Sequence, residues 1–578
     1  MGYYYLLIWL LYVLFGKVVC FNFHRAPVAN ITIGVVCGPH TLFIAAGLVM
    51  GLRHMHITAD VLTKMPNEFD RSYYIVLTPQ IFGGLFPPKS KFIIYQLEQT
   101  VSNRWMRKRY LKNLKNSCTA IVDYKMQNIE FLRSRRVMTP IAYLPINPIP
   151  GVDTMPLSGK IRGNVTHTVV NAVEAAASEQ TFDILFYGDA STGRRKRMLA
   201  AVKKAFPGRV ISVSNVFGPP LQKLVKTARV VLNMHYYENG MLETPRIFEA
   251  LSVGVPVVSE DSADAYLYPE LVGVVTFFKI DSVSDMEVAI RRVLLQPPRQ
   301  IDFDRFHATS SRKFHTMLER FLLQIGVLPP VHYRQATILD TDSSTTNQVV
   351  LSPPEFYARR LRFQQVVPRD THFTVYDGFL FPIRWIGCAM AYARLAQYAV
   401  RNNMERLTVC EDDVDFPPDY SMHVALVHRY LSSQRHWDFF SGLIAVVDES
   451  VNVTKAEYFE GHLFVTIDTA SSAVFNIYNR SMLLKMASWD QILTSNTTYR
   501  NLQRYATIDR HMVRGGANVV VMLPFLVGHA PGVISTLWSK DTNLRLYGSD
   551  IEKTEILLTA KAEAFVRGGG YQDQVVNY

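Results

Sequence analysis

Glu243-Thr244-Pro245-Arg246-Ile247-Phe248-Glu249-Ala250-Leu251-Ser252-Val253-Gly254-Val255-Pro256-Val257-Val258-Ser259-Glu260 is the stretch on which the fold turns. It reads as a helix carrying Arg246 and, one turn later, Glu249. A small-residue turn through Gly254 and Pro256 closes it and leads into Val257-Val258. A carboxylate is a bidentate acceptor for two vicinal hydroxyls, and an arginine one turn away can pair with a diphosphate.

Upstream, Phe182 to Gly188 is a strand closing on a glycine, and Asp189 to Arg197 leads into a helix. Glycines at such a turn let backbone amides approach a phosphate, and arginines such as Arg195 add charge. Val210 to Val213 and Val230 to His235 read as further strands. A Pro-rich stretch, Pro145 to Pro156, reads as a hinge between this series and an earlier one. The earlier series has strands at Ile31–Cys37, Tyr74–Leu77, Phe92–Tyr95, Ala120–Asp123 and Ile141–Leu144, with a helix from Thr41 to Leu52 and a basic helical stretch from Arg104 to Lys115. Strands separated by helix-length segments argue for parallel, doubly wound sheets.

A second stretch organises the other half: Leu407-Thr408-Val409-Cys410-Glu411-Asp412-Asp413-Val414-Asp415-Phe416-Pro417-Pro418. An apolar strand stops in three carboxylates, which places them at its carboxyl edge, where open α/β sheets bind ligands. Clustered hard oxygens suit Mg²⁺ or Mn²⁺ shared with substrate phosphates. Between the halves, Pro329-Pro330 and the Ser/Thr/Pro-rich run to Pro354 have linker composition. The boundaries are then 1–22 for an apolar segment, 30–150 and 151–327 for two lobes, 328–354 for a linker, 355–548 for a further domain and 549–578 for a tail.

At 578 residues the chain exceeds a single core. Its 19% charged and 48% hydrophobic residues describe a well-cored globular protein. A net charge of +12 fits anionic partners, but no zinc finger, basic zipper or aromatic RNA-binding signature is present, so no nucleic-acid partner is expected. The five cysteines form no CxxC pair, which fits a reduced, cytoplasmic compartment better than a lumenal one. Tyr3 to Gly16 is apolar and Lys17 follows. It is short for a span, so a signal-anchor, an interfacial membrane foot and a buried first helix all stay open, and association with a membrane is expected. Sequons at Asn30, Asn164, Asn452, Asn479 and Asn496 matter only in a secretory lumen.

Phe186 to Glu260 resembles the nucleotide-binding lobe of GT-B glycosyltransferases of the group-1 type. The resemblance implies that Glu249 grips the ribose hydroxyls of a nucleotide-sugar donor. Gly188, Arg195, Glu243 and Arg246 complete the expected donor site. Many retaining members carry a second glutamate eight residues earlier; here that position is Met241, with Glu238 and Glu243 nearby, so the stereochemical outcome stays open.

Phe381 to Ser535 resembles glycosyltransferase family 25, the lipopolysaccharide and collagen galactosyltransferase-type group with a GT-A fold. The matching parts are the helix after Gly387-Cys388, the step into Glu411-Asp412-Asp413, the Trp437-Asp438 strand, the Ala470 loop, Ile508-Asp509 and a Leu523-Pro524 strand. Ala391-Tyr392 stands where the family usually has Ser-His, and its usual opening strand is not evident. The resemblance implies that Asp413 coordinates a Mn²⁺ or Mg²⁺ ion, with Glu411 supporting the ion or the donor, Asp412 beside the donor, and His529 as a distal ligand. Asp509 is the expected base. The expected fold is thus α/β, a two-lobed GT-B unit followed by a GT-A-like mixed α/β domain, and the expected function is a bifunctional glycosyltransferase. Its acceptor is a glycan, glycoprotein or glycolipid. A second expectation keeps one half as a degenerate glycan-binding scaffold. A third, a metal-dependent nucleotidyltransferase or phosphohydrolase, accounts for the acidic strand end but not for Glu249.

Overall fold

The computed structural model describes residues 31–100, 106, 110–111, 114–115, 117–148, 182–328, 347–381, 383–489, 507–533 and 549–568. The apolar segment 1–22, most of the basic stretch 104–115 and the hinge beyond residue 148 lie outside the described residues. So do the linker from 329 to 346 and the sequons at Asn30, Asn164 and Asn496. Among the described residues no helix is long and apolar enough to cross a membrane.

The first lobe is one parallel sheet. Its strands are β1 (Thr32–Val36), β2 (Thr58–Leu62), β3 (Tyr73–Leu77), β4 (Phe92–Gln96), β5 (Ala120–Asp123) and β6 (Ile141–Tyr143), in the order β2-β1-β3-β4-β5-β6. All five residues of β4 are buried, as expected for a strand covered on both faces. Helices α1 (Leu42–His54) and α2 (Met126–Ser134) are among its connections.

The second lobe repeats the plan. Strands β7 (Ile184–Tyr187), β8 (Val210–Val213), β9 (Val230–Asn233), β10 (Val257–Glu260) and β11 (Val275–Phe278) run parallel in the order β11-β10-β9-β7-β8. Helices α3 (Gly193–Ala205), α4 (Pro219–Thr227), α5 (Thr244–Ser252), α6 (Val283–Leu295) and the long α7 (Gln300–Gln324) follow in chain order. Two parallel Rossmann-like sheets therefore stand where the alternating pattern places them.

The rest of the chain builds a mixed α/β layer. Its elements are β12 (Gln348–Leu351), α8 (Tyr357–Val366), β13 (Thr374–Tyr376), α9 (Arg384–Arg401), β14 (Arg406–Glu411), β15 (Val414–Asp415), α10 (Tyr420–Ser433) and β16 (Phe439–Ser441), then β17 (Val453–Phe459), β18 (His462–Ile467), β19 (Phe475–Asn479), α11 (Arg480–Ala487), α12 (Ile508–Val513), β20 (Val519–Leu523), β21 (Gly528–His529) and α13 (Ile551–Arg567). The sheet order is β13-β12-β14-β19-β16-β20-β18-β17. The strands β12, β13 and β14 are parallel, while β19 runs antiparallel between β14 and β16. Separately, β15 pairs with β21, which sets Val414 opposite His529.

Two boundaries differ from the composition-based reading. Gln348–Leu351, inside the expected linker 328–354, is a strand between β13 and β14; the polar run before it masks four residues that the sheet recruits. The expected tail 549–578 contains α13, whose Leu558 and Ala562 are fully buried. Its Lys561 Nζ donates to the carbonyls of Glu449 and Val451 at 2.7 and 3.0 Å.

The halves are joined by a buried ion pair. Glu355, fully buried, accepts from the backbone N–H of Tyr143 at 2.9 Å and from Arg320 at 3.1 and 3.0 Å. Arg320 Nε also donates to the carbonyl of Gly378 at 2.9 Å. Geometry of this kind satisfies both charges, so breaking one side costs far more than the pair contributes.

Candidate functional site

In the second lobe the carboxyl end of β7 meets α5. Tyr187, the last residue of β7, donates from its hydroxyl to the carbonyl of Arg246 at 2.8 Å. Glu249, one turn further along α5, lies close enough to this hydroxyl for the two to interact. Glu249 is half-buried. Burial pushes its carboxyl up to about 7, against the opposing effects of Tyr187 and the charge of Arg246. A carboxylate poised near neutrality at a strand's carboxyl edge can take two sugar hydroxyls when ionised.

The other expected donor residues do something different. Arg195 is 1% exposed. Its guanidinium donates to the carbonyls of Asp189 (2.7 Å) and Met234 (2.5 Å) and pairs with Glu243 at 3.2 Å. Glu243 also pairs closely with Arg246 and accepts from the N–H of Tyr236 at 3.1 Å. Burial opposes its ionisation, but Arg246 and Arg195 outweigh it and hold the carboxyl below its usual range. Burial draws Arg195 down to about 10. Arg195 and Glu243 are therefore parts of an internal ion network that also includes Arg246. The sequence shows their charges but not that they neutralise each other. Gly188 has φ of +139°, and a Cβ there would stand 3.0 Å from Arg246 Nη2. The glycine makes room for an arginine.

Across from this network the two lobes are fastened together. The side-chain amide of Gln99 donates to the carbonyl of Met241 at 2.8 Å and accepts from its N–H at 2.9 Å. Lys125, fully buried, pairs with Asp264 at 2.6 Å. Asp264 also accepts from the N–H of Leu242 at 2.8 Å and from Ser262 Oγ at 2.8 Å. Burial lowers Lys125. For Asp264, burial is outweighed by Lys125 and the carboxyl is held low. None of Gln99, Lys125 or Asp264 carries a motif in the sequence.

The acidic strand end lies on the mixed sheet. β14 ends at Glu411, and Asp412 and Asp413 are each 1% exposed. The β15–β21 pairing brings His529 beside them, with Nε2 at 3.6 Å from Asp413 Oδ2. Asp412 accepts from Ser352 Oγ at 2.8 Å. Arg359 of α8 pairs closely with Asp412 and reaches Asp413 Oδ2 at 2.8 Å. Burial raises Glu411, and Asp413 adds to it. For Asp413, burial is outweighed by Arg359 and His529, which hold it ionised. Tyr392 donates to the carbonyl of Ala473 at 2.7 Å and lies 3.3 Å from Glu411 Oε1. Asp509, in the first turn of α12, accepts from Ser471 Oγ at 2.9 Å. After burial, the charges of Glu411, Asp509 and Asp413 all raise the Cys388 thiol.

Among the described residues no group of three or more His, Cys, Asp or Glu side chains converges to hold a metal. The expected set of Asp413, Glu411 and His529 is thus not formed: Glu411 turns to Tyr392, and Asp412 is taken by Ser352 and Arg359. A smaller set does fit. Asp413 Oδ1 is buried without a hydrogen-bond partner, and His529 stands beside the other oxygen. Mg²⁺-type ions commonly use one or two carboxylates and take the rest from phosphate and water. Arg359, Ser352 and Gln99 are the site-region residues that the sequence did not reveal. An arginine-rich run, Arg359 to Arg362, was the only signal for any of them.

Residues 170–321 match the family model described as Glycosyl transferase-like. The span holds the Tyr187, Arg246 and Glu249 cluster. The chain thus carries a glycosyltransferase domain and is an enzyme of that class. No curated protein matches the chain. Similar solved structures include sucrose-phosphate synthase from Thermosynechococcus elongatus, at 13% identity over 51% of this chain and 97% of that one, with a TM-score of 0.30. The Anabaena protein HepE in complex with UDP and glucose is 9% identical over 52% and 100%, with a TM-score of 0.35. WaaG, a glycosyltransferase involved in lipopolysaccharide biosynthesis, is 11% identical over 50% and 98%, with a TM-score of 0.32.

Proposed function

We propose that the chain is a bifunctional glycosyltransferase that moves sugars from nucleotide-sugar donors to a glycan, glycoprotein or glycolipid hydroxyl. The observation that carries the first activity is Glu249, partly open beside Tyr187 at the carboxyl edge of β7. In this reading it accepts the ribose hydroxyls of the donor, and Arg246 is the nearest cation to the diphosphate.

The second activity belongs to the acidic edge of the mixed, GT-A-like sheet. A Mn²⁺ or Mg²⁺ ion held by Asp413 and His529 would supply positive charge against the departing nucleoside diphosphate. Asp509, oriented by Ser471, takes the proton of the acceptor hydroxyl as its oxygen attacks the anomeric carbon. The bond from that carbon to the diphosphate oxygen breaks, and the nucleoside diphosphate leaves. Glu411, which accepts from Tyr392, supports the ion or the donor. The apolar segment 1–22 is proposed to hold the chain at a membrane. The described cysteines Cys37, Cys118, Cys388 and Cys410 are free thiols, which supports catalytic domains on the cytoplasmic side.

One observation favours a second reading, in which the first half is a degenerate scaffold. Met241 occupies the place of the usual second glutamate, and both its backbone groups are bound to Gln99. Titrating the full chain with UDP by calorimetry separates the two. Two sites, one lost in Glu249→Ala and one in Asp413→Ala, are expected for the bifunctional enzyme; a single site insensitive to Glu249→Ala would leave the scaffold.

A further inference from the structure

We infer that Arg359 is a positioning residue that keeps the Asp413 seat closed until a donor arrives, then passes from the carboxylates to the donor diphosphate. The inference rests on the metal-assisted reading of the second half.

Arg359 lies in the first turn of α8, and its side chain is only 16% exposed. Its guanidinium bridges Asp412 and Asp413, at 2.8 Å from Asp413 Oδ2. The neighbouring arginines on α8 are committed elsewhere. Arg360 pairs with Asp377 at 2.6 Å, and Arg362 with Asp415 at 2.9 Å. Arg359 is therefore the arginine of this run that neutralises the acidic strand end.

The same oxygen, Asp413 Oδ2, faces both Arg359 and His529. A divalent ion held by this carboxylate would carry like charge beside a guanidinium already bonded to it. Ion and guanidinium thus compete for Asp413. Removing the guanidinium without a replacement partner would strand a buried cation, which is costly. A diphosphate removes that penalty, because guanidinium groups bind phosphate oxygens in a bidentate fork. The Phe356 ring lies 5.7 Å from the Arg359 guanidinium carbon and also carries Arg133 at 3.9 Å. The consequence is linkage: ion and donor each bind weakly alone and tightly together.

Free Mn²⁺ can be followed by electron paramagnetic resonance as the full chain is titrated, with and without UDP. The wild type is expected to bind Mn²⁺ weakly alone and at least about tenfold more tightly with UDP. Arg359→Ala is expected to bind Mn²⁺ alone about tenfold or more tighter than the wild type, with most of the UDP enhancement gone. Arg359→Lys falls between them and covers the case in which the alanine variant does not fold. A gain in affinity is a result that mere structural damage does not give. Unchanged or weaker Mn²⁺ binding without UDP in Arg359→Ala and Arg359→Lys overturns the inference while leaving the metal seat standing. If the wild type with UDP binds no Mn²⁺, or binds it no better than Asp413→Ala does, the seat itself is refuted and the inference falls with it.

Discussion

Replacing Glu249 by glutamine removes a carboxyl that burial pushes from the usual glutamate value near 4.5 up to about 7. Between those two pH values the unfolded chain releases the proton and the folded chain keeps it. Stability contributed by the protonated group is complete below about pH 4.5 and is lost as pH rises through about 7. A displacement of this size corresponds to a ceiling of about 3 kcal/mol at pH 8, and partial exposure brings it to roughly 1–2 kcal/mol. The glutamine variant carries no such penalty. Its Tm is expected to equal that of the wild type near pH 4.5 and to exceed it at pH 8 by about 2–8 °C, at roughly 2–4 °C per kcal/mol. Differential scanning fluorimetry across pH 4.5–8.5 measures this. The affinity for UDP should change in the opposite sense, rising in the wild type through pH 7 and staying low in Glu249→Gln. A Tm difference independent of pH would refute the assignment of a raised carboxyl at the donor edge.

Lys125→Met strands Asp264 in the inter-lobe contact and should cost about 3–5 kcal/mol in chemical denaturation; the double variant Lys125→Met/Asp264→Leu should recover most of it. Failure of the double variant to recover would mean that the pair is not the fastening between the lobes. Gly188→Ala combines a left-handed φ with a clash against Arg246, so a loss of about 1–3 kcal/mol is expected in the same assay, together with weaker UDP binding. A neutral effect there would argue that Arg246 can move away freely.

Much of the architecture is legible in the sequence because parallel strands buried on both faces are short, continuous apolar runs. β4 and β14 are examples, and the helix–turn–strand unit that carries Glu249 is legible because its three parts follow one another locally. What is missed is non-local. β12 has only four residues and follows a polar run, so composition places it in a linker; only its pairing with β13 and β14 makes it a strand. Arg195 and Glu243 are 48 positions apart, and nothing in the sequence says that they meet and satisfy each other. Arg359 reaches Asp413 across 54 positions. The two-residue pairing of β15 with β21 is what brings His529 to the acidic edge, and two residues leave no periodic signal. Titratable residues are thus easy to list from a sequence, but which of them are neutralised internally is decided by packing.

The central claim is that one chain holds two separable sugar-transfer sites. Sugar release from a panel of nucleotide sugars by the full chain tests it most directly, comparing the wild type with Glu249→Ala and Asp413→Ala, with Mn²⁺ and with chelator. The account predicts one activity that survives chelator and Asp413→Ala but is lost in Glu249→Ala, and a second with the reverse sensitivities. A single activity abolished equally by both substitutions, or one untouched by either, would contradict it.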